Sequence, residues 1–183
     1  MEPLMRCLAA TQAWVETFVV KHGICPFAAR EVAAQRIRYR AVSANDWSET
    51  LLALLEECRR LDEDSEVETT LLVLSEGSDD FDDYLDLLGV AEDLLADQGY
   101  DGIYQLASFH PDYRFEGGAE DDESHYTNRS PWPMLHLLRE ASLTRVLEHY
   151  PDPESIPERN IALMHELGRE TLERRLATLK MLG

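Results

Sequence analysis

Residues 69–75 read TTLLVLS, an unbroken apolar run of leucine and β-branched residues that ends just before Glu76. A run this short and this apolar has the composition of a strand covered on both faces, so it is expected to lie at the centre of a sheet. Upstream, RIRYRAV at 36–42 alternates Ile37, Tyr39 and Ala41 with Arg36, Arg38 and Arg40, the period of a strand with one apolar face and one wet, basic face. Downstream, residues 102–109 read as a third strand. Trp47, Leu51, Leu54, Leu55 and Cys58 recur at helical spacing between the first two strands, with Asn45 or Asp46 as the cap. Phe81, Tyr84, Leu85, Leu88, Ala91 and Leu95 do the same between the second and third, with Ser78 as the cap and Gly99 at the stop. Two strand-helix-strand units in succession predict parallel pairing through right-handed crossovers. The expected fold is α/β, a small, mainly parallel sheet of three or four strands flanked by helices; a ferredoxin-like α+β sandwich is the alternative.

The flanks read as helical. Leu4, Leu8, Thr11, Val15 and Phe18 predict a first helix to about Lys21, closed by Gly23 in a left-handed cap, and the Cys25-Pro26-Phe27 turn leads into a short helix to about Ala34. Ser130 followed by Pro131 has the form of a helix N-cap and first-turn proline, with Pro133 still in that turn, so one helix is expected from Ser130 to about His149. After YPDPESIP at 150–157 a last helix is expected over about 158–182. No repeat or long linker divides the chain, and 1–183 is expected to be one domain.

Composition excludes several function classes. The 17 Lys+Arg against 36 Asp+Glu leave a formal net charge of −19, which repels nucleic acid and anionic membrane surfaces. No apolar run reaches membrane-spanning length, and the opening MEPLMRCLAATQAW carries Glu2 where a signal peptide has a basic start, so a cytoplasmic location is expected. Cys7, Cys25 and Cys58 cannot all pair and show no CxxC spacing, which favours reduced thiols. The acidic patches DEDSEVE, DDFDDYLD and EDDE lack the spacing of a calcium loop and read as solvated helix ends and loops.

Chemistry concentrates in residues 108–140, SFHPDYRFEGGAEDDESHYTNRSPWPMLHLLRE, which contain three of the six histidines. Loops are usually built from small polar residues, and one carrying imidazoles, guanidiniums and aromatic rings suggests a site at the carboxyl edge of the sheet. His110 and His136 are candidate general bases, since an imidazole titrates near neutral pH. Arg114, Asn128, Arg129, Ser130 and Arg139 are candidate ligand-binding residues. The amides of a helix beginning at Ser130, its dipole and the Arg129 guanidinium together would attract an anion; the structural alternative is that Arg129 pairs with Asp121, Asp122 or Glu123. Cys25, placed before Pro26 at a helix start, is a candidate nucleophile through a lowered thiol pKa, against the alternative that it packs beside Ile24 and Phe27. His110-x-Asp112 lacks a second ligand cluster, so no metal site is expected. His22, His149 and His165 read as surface or helix-end residues. No Gly-rich phosphate loop, G-x-S-x-G elbow or H-E-x-x-H stands in the chain, which leaves the cofactor unspecified.

CPFA at 25–28, QLASFHPDYRFEG at 105–117 and YTNRSPWPMLHLLREAS at 126–142 resemble the signature segments of a bacterial family known as domain of unknown function 1415, and the resemblance extends over nearly the whole chain. It implies a bacterial cytosolic protein and carries over no mechanism. One segment departs from the pattern: SEGSDDFDDYL follows the central strand where the family often has a histidine-proline pair, so no role of that histidine transfers. Two functions are therefore expected as rivals. One is an enzyme acting on a small anionic metabolite; the other is a non-catalytic ligand-binding or protein-interaction domain using the same groups. An imidazole and a thiol converging in one cleft would favour the first.

Overall fold

The computed structural model describes residues 3–182. The 69–75 run forms strand β2 (Thr69–Glu76), whose residues are buried up to Ser75. β1 (Ile37–Ser43) lies parallel to it on one side and β4 (Met134–Arg139) antiparallel on the other, with β3 (Tyr104–Phe109) antiparallel to β4 at the far edge. The order is β1-β2-β4-β3. The sheet is mixed, with one parallel and two antiparallel pairings, so the mainly parallel sheet expected from the sequence is corrected to an α+β arrangement of four strands flanked by helices. The ferredoxin-like alternative is not met either, because β3 and β4 follow one another after the second helix crossover instead of flanking a helix.

The difference originates in residues 130–139. Met134, Leu135, Leu137 and Leu138 are all buried, which a surface helix cannot achieve and a strand covered on both faces can. Leu135 and Leu137 join the core on one face of the sheet, and Met134 joins that on the other. Pro131 and Pro133, read locally as first-turn prolines, instead hold the approach extended, and the Pro133 carbonyl accepts from Leu74 N–H at 2.9 Å. Good helix formers are thus drawn into a strand by the two partners waiting on either side. The helix expected from Ser130 shortens to α5 (Glu140–His149).

On one face Leu72 and Leu74 of β2 pack with Leu135 and Leu137 against α3 (Trp47–Glu63) and α4 (Phe81–Asp97). On the other, Leu71, Val73 and Met134 meet α1 (Pro3–Trp14), α6 (Ile156–Leu167) and α7 (Arg169–Lys180). Each such leucine contributes about 2 kcal/mol through area removed from water. Asp46 caps α3 by accepting from Ser48 N–H, and Asp80, not Ser78, caps α4 by accepting from Asp82 and Asp83 N–H. α1 continues as a π-helical segment, Val15–Val20, and Gly23 takes φ 63° at its end. The single last helix becomes two because Gly168, at φ 73°, breaks α6 from α7. The basic face of β1 is not simply wet. Arg38 Nε and Arg40 Nη1 turn to α3 and hold buried Glu57 at 2.7 and 3.0 Å. Burial raises the Glu57 pKa, but these two guanidiniums and Thr70 outweigh it and hold the carboxyl below its usual value.

Candidate functional site

The loop from β3 to β4 is built around two histidines. His110 has no solvent exposure; its Nδ1 accepts from Asp112 N–H at 3.0 Å, so its Nε2–H donates to Ser78 O at 2.9 Å. Burial pushes its pKa below the ordinary imidazole value and keeps it neutral. His125 repeats the device: Nδ1 accepts from Phe115 N–H at 3.1 Å and Nε2–H donates to Ala119 O at 2.7 Å. Gly118 passes so close that a Cβ there would stand 2.9 Å from His125 Cε1. Both imidazoles act as brackets for backbone groups that a loop cannot otherwise satisfy.

Asn128 completes the closure by donating from Nδ2 to Ser108 O at 3.0 Å, while the backbones of His110 and Asn128 bond at 3.2 Å. Ser130 is buried and its hydroxyl donates to Trp132 O at 2.6 Å. Since no helix begins there, the expected site at a helix amino end is corrected: no helix dipole or free helix amides are available at Ser130. Arg129 behaves differently. Its Nε–H donates to Tyr113 O at 3.1 Å and its guanidinium lies over the Tyr126 ring at 4.6 Å, and it forms no ion pair with Asp121, Asp122 or Glu123.

Arg129, Arg114 and Lys180 line one open cleft of about 940 Å³ between this loop and α7, together with Asp112, Tyr126 and Arg169. Arg169 is paired with Glu173 at 2.6 Å and Asp121 at 3.8 Å. Among the described residues Arg114, Arg129 and Lys180 have no carboxylate partner. A smaller hollow of about 340 Å³ adjoins it through Pro111 and Lys180, lined also by Arg6 and by Trp132, whose buried Nε1–H has no partner among the described residues.

The remaining candidates lie elsewhere. His136 stands in β4; Thr69 Oγ1 donates to Leu137 O at 2.6 Å, so His136 Nε2–H donates to Thr69 Oγ1 at 2.9 Å, and burial pushes the imidazole down to about 4. It lines neither hollow. Arg139 donates from its guanidinium to the carbonyls of Leu61 and Val67, fastening the end of β4 to the last turn of α3 and the segment after it. Cys25 is half-buried. α2 (Ala28–Ala33) has Phe27 as its N-cap, so the expected N-cap position of Cys25 is corrected. Burial raises the thiol pKa, and the Phe27 and Ala28 amides only oppose that shift. The meeting of an imidazole and a thiol that would favour an enzyme is not found, since His110, His136 and Cys25 line neither hollow. Lys180 and Arg169 were missed because they lie more than thirty residues beyond the loop and carry no local motif.

The fold and cleft define an α+β protein with a mixed four-stranded sheet, and no helix among the described residues is long and apolar enough to cross a membrane. Its chain belongs to the family described as protein of unknown function (DUF1415), whose model matches residues 6–174. No curated protein and no solved structure matches it.

Proposed function

We propose that the protein is a ligand-binding domain that takes a small anion in the cleft between the β3–β4 loop and α7, without catalysis of its own. The carrying observation is that Arg114, Arg129 and Lys180 face one cleft without a carboxylate partner among the described residues, in a chain of formal charge −19. Arg129 is the best prepared of the three. With Nε committed to Tyr113 and its face on Tyr126, its two terminal nitrogens have no hydrogen-bond partner among the described residues and can grip two oxygens of one carboxylate or phosphate group. Rigid brackets at His110 and His125 set this guanidinium in place before any ligand arrives, which lowers the entropy cost of binding.

The non-catalytic reading is favoured over the enzyme because His110 is closed off with both nitrogens on backbone groups, and because the Cys25 thiol is held protonated by burial. Titration with inorganic phosphate, followed by backbone amide shifts, tests the reading. Saturable shifts at Tyr113 and Arg129 that weaken with added salt are expected, with affinity about tenfold lower in Arg129→Gln, the loss of one charge-assisted bidentate contact. Unmoved signals at high phosphate would reject the site.

A further inference from the structure

His165 differs from the other five histidines in what surrounds its ring. His110, His125, His136 and His149 each engage a carbonyl, amide or hydroxyl through a ring nitrogen, and His22 Nε2 meets Arg175. His165, at the last turn of α6, faces carboxylates alone: Nδ1 stands 3.3 Å from Glu123 Oε2 and Nε2 stands 3.6 Å from Asp122 Oδ1. One donor atom from each of the three side chains lies within 4.8 Å of the other two.

We propose that Asp122, Glu123 and His165 form a binding site for a divalent first-row transition-metal ion. Two carboxylates and one neutral imidazole supply two negative charges to a dication and mix oxygen with nitrogen donors, a set that suits zinc or its neighbours better than calcium or magnesium. Donor atoms around a tetrahedral zinc stand about 3.3 Å apart, close to the spacings already present between the ring nitrogens and the carboxylates. Rotation of the exposed imidazole, about half accessible at 48%, is the movement that brings one ring nitrogen and both acids onto one ion.

The frame is prepared on the other side. Asp122 Oδ1 accepts from Ser124 N–H at 2.8 Å and so caps the short 3-10 turn Glu123–Thr127, which fixes this carboxylate beside His165. That turn packs on α6 and is anchored by His125. The neighbouring Asp121 is occupied by Arg169, which keeps a third carboxylate out of the set. Water would fill the open positions, and an imidazole protonated beforehand would release its proton to solvent on binding. A bound ion would join the loop to α6, with Glu123 and His165 forty-two residues apart in the chain. The site shares no residue with the anion cleft, so either reading can fail without the other.

Zinc titrated into the metal-free full-length protein tests this, followed by the side-chain nitrogen resonances of the histidines. One equivalent is expected to move the His165 ring nitrogens and leave those of His110 and His125 in place. The conservative exposed variants His165→Asn and Glu123→Gln are expected to weaken zinc at least about tenfold with an unchanged circular dichroism spectrum. Zinc binding of unchanged affinity in these variants would overturn the proposal. So would wild-type titration that leaves the His165 ring unmoved, whether or not the thiols bind the ion.

Discussion

The imidazole Nε2 of His110 lies 2.9 Å from the carbonyl oxygen of Ser78, joining the turn after β2 to the start of the β3–β4 loop through a side chain with no exposure to solvent. The ring also packs on Phe81 and Tyr84, each with centroids 5.2 Å away. Replacing it removes an apolar contact and strands two backbone groups at once. His110→Ala is expected to cost about 3 kcal/mol in urea denaturation. If His110 were instead exposed and catalytic, the same change would leave stability within about 0.5 kcal/mol.

Gly77 precedes that carbonyl at φ +80°, and a Cβ there would stand 2.6 Å from the carbonyl carbon of Ala44. Both the backbone conformation and the approach of the β1 end require glycine. Gly77→Ala is expected to lose more than about 2 kcal/mol, read as a lower urea midpoint with unchanged slope. Gly99→Ala provides the comparison, since it shares φ +80° but meets no neighbour within 4 Å, and it should cost less.

Acid should loosen the fold before the carboxylates titrate. His22, His110 and His136 all have lowered pKa values, chiefly from burial, with His136 at about 4. The unfolded chain therefore takes up protons first, near pH 6.5, and stability that is complete above that value is lost as pH falls toward the folded pKa. For His136 alone the slope approaches about 1.4 kcal/mol per pH unit between roughly pH 6 and 4.5. Urea midpoints at pH 7 and pH 5 measure this, and His136→Gln should flatten the dependence. An equal fall in that variant would place the effect on other groups.

Cys25 should alkylate at neutral pH more slowly than a free thiol, because burial holds it protonated. It should still react faster than Cys7 and Cys58, which have no exposure. Timed labelling of native protein, with the unfolded chain as the reference, resolves the order. Cys25→Ser is expected to cost about 1–3 kcal/mol, from a hydroxyl placed beside apolar neighbours. A labelling rate above that of the unfolded chain would restore the nucleophile.

The strands at 37–43 and 69–76, the helices beginning at Trp47 and Phe81 and the strand ending at Phe109 were legible because each carries its own period and punctuation. Family membership was likewise legible in short motifs at Cys25, Gln105 and Tyr126. Residues 134–139 could not be read locally. Met-Leu-His-Leu-Leu-Arg favours a helix by propensity, and its burial on both faces appears only once β2 and β3 flank it. The helix-end anion site expected at Ser130 disappeared with that helix, and His110 and His136 passed from candidate bases to bonded parts of the frame. What tertiary structure decided in their place are meetings across long sequence distance, Arg129 with Lys180 in one cleft and Asp122 with His165 at one turn. Local sequence records the tendency of each segment, while sites of this kind depend on which distant segments pack together, and that is set by burial of the whole sheet.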